Sequence, residues 1–157
     1  MLKTKVKEAT LKILMFPLGN LFLAVKLEGV KKVIPMPAIA KSGNKLLGIT
    51  NFEDQEIVVV DLHQKILNAS NAIVSRYLIV VQSELEALYG IPVISLPEML
   101  EVPLSMIHPI PDDYRNHDTL GIADRVTQIS VMAETRTIFL LSSNSIINFI
   151  RKEKPGS

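Results

Sequence analysis

The sequence predicts a mainly β protein built from two similar small barrels. Three observations point there. Short aliphatic runs bounded by Gly, Pro or Asn recur along the chain, with no long helical period between them. Two stretches about eighty residues apart match without gaps. Hydrophobic residues make up 48% of the 157 but aromatics only 5%, with no Trp, so the core must be assembled from Val, Ile, Leu and Met. A chain of this length can bury such a core without disulfide or metal support.

Taken in order, the runs predict strands near 11–16, 21–27, 46–51, 57–61, 76–82, 87–94, 119–124, 127–133 and 136–141. Nine short strands suit two barrels better than one open sheet, because closure removes the edges at which sheets aggregate. The clearest helix is the last: Ser142 or Ser143 can cap it, Ile146, Ile147 and Ile150 form its apolar stripe, and Arg151 and Lys152 meet the negative end of its dipole. A shorter helical turn after Asp61, running through His63 and Ile66, is its counterpart, with Asp61 as cap.

The internal match lays 57–67 over 137–147, each an aliphatic strand, a polar cap and a helical turn opening on two aliphatics. Upstream, Ala24-Val25-Lys26-Leu27 with Val30 and Val33 lies over Gly90-Ile91-Pro92-Val93 with Leu96 and Met99, and Gly48-Ile49 over Gly121-Ile122. The expected modules are therefore about 11–67 and 76–150. A polar linker from Asn68 to Ser75 separates them, and basic tails lie at 1–10 and 151–157.

Composition excludes several classes of function. Without Cys there is no thiol nucleophile, disulfide or thiolate metal site, and a reducing, cytoplasmic location is expected. The net charge of +1 hides basic ends of +3 and +2 and a segment, 81–150, at −6. Few aromatics and an acidic second half speak against a small barrel that binds single-stranded nucleic acid. The apolar stretch from Ile13 to Val25 is broken by Pro17, Gly19 and Asn20, too short and interrupted for a signal peptide or a bilayer span.

The densest polar cluster runs from His108 to Asp118 and includes His117. It holds nitrogen and oxygen ligand types, but Pro109 and Pro111 stiffen it and no pair stands at helical i, i+4 spacing, so a solvated loop is expected rather than a metal-dependent enzyme. Asp61 and His63, two apart, do not face each other on a helix. No Gly-x-Ser-x-Gly elbow and no phosphate-binding glycine pattern occurs. No catalytic residue, metal ligand or cofactor is assigned, and a protein of this kind acts by presenting surfaces to other proteins.

At Leu46-Leu47-Gly48-Ile49-Thr50-Asn51-Phe52, followed by Ile57-Val58-Val59-Val60-Asp61-Leu62, the chain resembles the chemotaxis coupling family, the CheW-like domains. The family pattern there is Gly-(Val/Ile)-x-Asn-Leu-Arg-Gly, then an aliphatic strand ending Val-Asp-Leu. Phe22-Leu23-Ala24-Val25 through Val33, Gly90-Ile91-Pro92-Val93, Met106 through Pro111 and Leu120-Gly121-Ile122-Ala123 extend the resemblance over about 11–150. It implies a single CheW-like domain of two five-stranded SH3-like barrels packed around a shared core, and no catalysis. Its implied role is an adaptor joining the cytoplasmic tip of a chemoreceptor to the regulatory domain of a sensor histidine kinase (CheA-like), without insertion into the membrane.

The resemblance also carries a binding region: Val30, Lys32, Val33, Asn51, Phe52, Glu53 and Asp54. Two of these depart from the family with reversed charge. Glu53 stands at the family's Arg, and Lys32 at the Glu of its Val-x-Glu segment. An ion pair of swapped polarity between them is one expectation, retuning partner choice; a scaffold that has lost kinase coupling is the other. Asp54, at the family's Gly, tolerates a left-handed turn better than most residues. Core packing is the expectation for the aliphatic members.

Overall fold

The computed structural model describes residues 8–41, 46–67, 74–84, 87–111 and 121–153. Among these described residues, twelve strands and two helices follow in order: β1 Thr10–Leu18, β2 Leu21–Lys26, β3 Val30–Pro35, β4 Ala40–Lys41, β5 Leu47–Phe52, β6 Gln55–Val60, α1 Leu62–Leu67, β7 Tyr77–Gln82, β8 Leu88–Val93, β9 Glu98–Pro103, β10 Ile107–Pro109, β11 Ala123–Val131, β12 Glu134–Leu141 and α2 Ser143–Glu153. Single 3-10 turns at Leu27–Gly29 and Leu104–Met106 join β2 to β3 and β9 to β10.

These strands form two six-membered sheets, ordered β10-β11-β12-β2-β1-β9 and β3-β7-β8-β6-β5-β4. In each, the two end strands are consecutive along the chain, so the sheet curls until its ends meet. Counting β9–β10 and β3–β4 each as one bent strand, both barrels are five-stranded. The fold is the expected one, mainly β with a C-terminal helix.

The partition is not the expected one. The first barrel takes β1 and β2 from the start of the chain and β9–β12 from its end, and the second takes everything between. We call them the terminal and the middle barrel. Modules at 11–67 and 76–150 are repeats of sequence order, but neither is a barrel. Each begins with a hairpin in one barrel, crosses through three or four residues, and continues with four strands in the other. Sequence similarity reports the order of elements; which edges pair is decided by contacts far apart in the chain.

Burial explains the aliphatic runs. On β1, Ile13 and Met15 fill the terminal barrel while Leu14, Phe16 and Leu18 enter a core shared with the middle barrel. On β7, Leu78 and Val80 fill the middle barrel while Ile79 and Val81 enter the shared core. Strands buried on both faces read as continuous rather than alternating hydrophobics. Strands with little burial carry a weaker pattern, which is why β3, exposed or half-buried throughout, β9, whose one buried residue is Val102, and the short β4 and β10 are absent from the sequence expectation. The strands expected at 119–124 and 127–133 are one strand, β11, which begins at Ala123 after a turn at residues 121–122 and ends at Val131, before the Met132-Ala133 turn; positions 119 and 120 lie outside the described residues.

Helix α1 is capped as expected: the Gln64 N–H donates to Asp61 Oδ1 at 3.1 Å. In α2 the cap is Ser142, whose Oγ accepts from the Ser145 N–H at 3.2 Å. The Asp61 N–H donates to the Leu46 carbonyl and the Ser142 N–H to the Ile122 carbonyl. Asp61 and Ser142 are thus counterparts, one residue off the gapless overlay, and Gly48 does not correspond to Gly121. The tails are shorter than expected at both ends. Ala9 accepts a hydrogen bond from the Leu104 N–H, Glu8 accepts one from the Ser105 N–H, and α2 continues through Glu153.

Candidate functional site

Strand directions decide which predicted residues meet. β3, β6 and β8 run one way in the middle barrel and β5 and β7 the other. The start of β3 and the β5–β6 turn therefore lie toward the same end. Register spreads the seven expected contact residues along the barrel: Val30 is level with Val58 and Lys32 with Val59, well along β6 from the Glu53-Asp54 turn, and Val33 stands a step further from it.

Their environments differ. Lys32, Asn51, Glu53 and Asp54 are exposed, while Val30, Val33 and Phe52 are half-buried. Val30 and Val33 pack against the shared core, and Phe52 packs against the interior of the middle barrel, as expected for the aliphatic members and equally true of the aromatic one. Glu53 and Asp54 form a two-residue hairpin turn with φ of 48° and 64°, the doubly left-handed pattern whose twist matches its strands. A bulge between Val30 and Lys32 leaves Lys31 as the extra residue without a partner in the register, while Lys32 sits opposite Val80. Among the described residues Lys32 and Glu53 form no ion pair with each other, so the swapped-polarity pair is not made. Both side chains are left to solvent.

Two grooves flank the starts of β3 and β6, and α2 borders both. The larger, about 630 Å³, lies where the chain crosses from β2 to β3. Glu28, Val30 and Lys31 form one wall, Gln82 and Glu84 another, and Asn144 at the start of α2 a third. The second, about 480 Å³, lies between the starts of β6 and β8 and the later turns of α2, with Val58, Leu88, Ile147 and Ile150 as apolar floor and Glu56 and Arg151 at its rim. No local pattern could have revealed either groove, because each is walled by segments distant in sequence.

Between them, the Tyr89 hydroxyl lies 2.7 Å from Ser143 Oγ and ties β8 to the first turn of α2. Burial raises the Tyr89 pKa above its usual value, partly offset by this bond, so the phenol stays protonated. His63, 5% exposed on α1, has a pKa lowered by burial, against a smaller opposing pull from Asp61. Its Nε2 has no partner among the described residues. His108 lies exposed on β10, and the rest of its polar cluster, residues 112–118, falls outside the described residues, as do 68–73 of the expected linker.

This geometry offers surfaces and grooves. Among the described residues no three His, Asp or Glu side chains gather around a point that would hold a metal ion, and no helix is long and apolar enough to cross a membrane.

Comparison with known proteins agrees with the architecture. The family model of the CheW-like domain matches residues 12–151. No curated protein matches. Among solved structures, the scaffolding protein TtCheW from Thermoanaerobacter tengcongensis superimposes with a TM-score of 0.70 at 19% identity, over 91% of each chain. At that identity the likeness is one of fold.

Proposed function

The chain belongs to the CheW-like domain family, and from that premise we propose that it is a non-enzymatic coupling adaptor, working in the cytoplasm between a chemoreceptor tip and the regulatory domain of a sensor histidine kinase. The observation that carries this reading is the pair of grooves bordered by one helix, with Lys31, next to exposed Lys32, lining one and Gln55, next to the exposed Glu53-Asp54 turn, lining the other. Apolar floors supply contact area, and peripheral charges choose the partner. The groove at the β2–β3 crossing accepts the receptor's helical hairpin, and a barrel surface pairs with the similarly folded kinase domain.

Reversed charge at Lys32 and Glu53 makes this a coupler for a kinase with complementary reversals. The test is a pull-down of the chain, and of the double variant Lys32→Glu, Glu53→Arg, against kinase regulatory domains and receptor tips from the same genome. The reading expects one kinase to be retained by the native chain and lost by the variant. Retention of receptor but of no kinase would mean a scaffold that has lost kinase coupling, and retention of neither would overturn the adaptor role.

A further inference from the structure

The two sequence repeats, residues 10–67 and 77–153, are joined by one stretch of chain only, yet every barrel contains both. In the terminal barrel, β1 of the first repeat pairs with β9 of the second, and β2 pairs with β12. In the middle barrel, β3 pairs with β7, and β6 pairs with β8. Four ladders, two per barrel, therefore cross between repeats. The links within a repeat are short: Leu27–Gly29 ties β2 to β3, and residues 94–97 tie β8 to β9. A single repeat thus holds two strands of one barrel and four of the other, with unpaired strand edges in both, and its buried backbone groups lack the partners that folding requires.

We infer that a second copy of this chain can supply the missing strands, giving a dimer in which whole repeats are exchanged. Each exchanged unit keeps every strand pair, both grooves and the Lys32 and Glu53 surfaces, and only the joining stretch runs differently. Such exchange is a low-cost route to dimers because it adds no new interface. Within one chain a short connection holds the repeats at an effective concentration on the order of millimolar, so the monomer dominates in dilute solution and exchange grows with chain concentration. The exchanged form is bivalent, presenting two identical pairs of grooves on one particle. This inference rests on strand pairing alone and is independent of the adaptor reading.

The sequence lacks cysteine, so introduced thiols report without background. Lys12 on β1 and Glu101 on β9 are both exposed and sit directly opposite in the terminal barrel; Pro35 and Tyr77 sit opposite in the middle barrel. Opposed antiparallel residues lie within disulfide reach. The double variant Lys12→Cys, Glu101→Cys is the control for geometry and closes an internal disulfide. The two single variants are then mixed, unfolded in urea, refolded at stepped concentrations and oxidised. Exchange predicts a covalent heterodimer absent from either single variant alone, its fraction rising about tenfold per tenfold rise in concentration while it is the minor species. Pro35→Cys mixed with Tyr77→Cys must behave the same way. No heterodimer above the single-variant background at any concentration overturns the inference. So does crosslinking of the first pair without the second, which would mean that only the β1–β2 hairpin moves.

Discussion

The terminal and middle barrels close by the same strand order but end in different hairpin tips. Glu53 and Asp54 turn the β5–β6 hairpin, and Met132 and Ala133, with φ of 49° and 67°, turn the β11–β12 hairpin. Both tips place two L-residues in the left-handed region, where Asn-Gly would sit with less strain. One tip is doubly acidic, while the other exposes Met132 to 95%. The common requirement is the turn's shape, and what differs is the chemistry each tip presents. The interiors differ too. Against Leu140 the terminal barrel places Ala24, and against the corresponding Val59 the middle barrel places Gly90, with the Leu78 side chain folded over it. A narrow barrel interior admits a bulky residue only where its neighbour is small.

The largest expected effect tests whether the barrels are separable. Phe16→Ala, fully buried in the shared core, should lower stability by about 3–5 kcal/mol and shift one cooperative transition. Two resolved transitions in a thermal melt followed by circular dichroism would break the picture of a single interleaved unit.

Next comes the interior difference. An added Cβ at Gly90 would lie 2.9 Å from Leu78 Cδ1, and one at Gly48 would meet Ile39 Cγ2. Gly90→Ala gives the middle barrel the residue its twin already carries, yet it should destabilise by about 1–3 kcal/mol, as overpacking does. Urea denaturation measures it, and a neutral result would mean that Leu78 swings aside freely.

The tips are expected to respond in the opposite sense. Replacing Met132-Ala133 by Asn-Gly should stabilise the chain by about 1 kcal/mol through relief of left-handed strain. The same replacement at Glu53-Asp54 should gain less, since Asp already tolerates that conformation. Equal gains in urea denaturation would mean that Asp54 brings no such tolerance.

The helices give a pH-dependent difference. His63 and Asn144 stand at matching positions after their caps. The folded chain lowers the His63 proton affinity below the usual 6.5, so the unfolded chain takes up the proton first. Stability is full above the ordinary histidine range and falls as pH drops through it. His63→Asn should flatten that decline in urea midpoints measured across the range; an unchanged slope would place its origin elsewhere. Smallest of all, Lys32→Glu with Glu53→Arg should change stability by less than about 1 kcal/mol, because both side chains are exposed. Any loss of partner binding in that variant then belongs to the interface.

The sequence by itself determined the elements that local physics dictates. The doubly buried strands β1 and β7, the caps Asp61 and Ser142, the apolar stripe of α2 and the repeat of element order were legible because each is written within a few neighbouring residues. The expected contact residues were named through the Asn51 to Asp54 segment and the Val30 to Val33 segment, but not how far register spreads them along the middle barrel. Only the tertiary structure decided the exchange of hairpins between repeats, the one-residue offset of the overlay, the open Lys32–Glu53 gap and the two grooves. A strand edge offers the same donors and acceptors to any partner, so the choice among edges falls to side-chain packing between segments far apart along the chain, which no local pattern encodes.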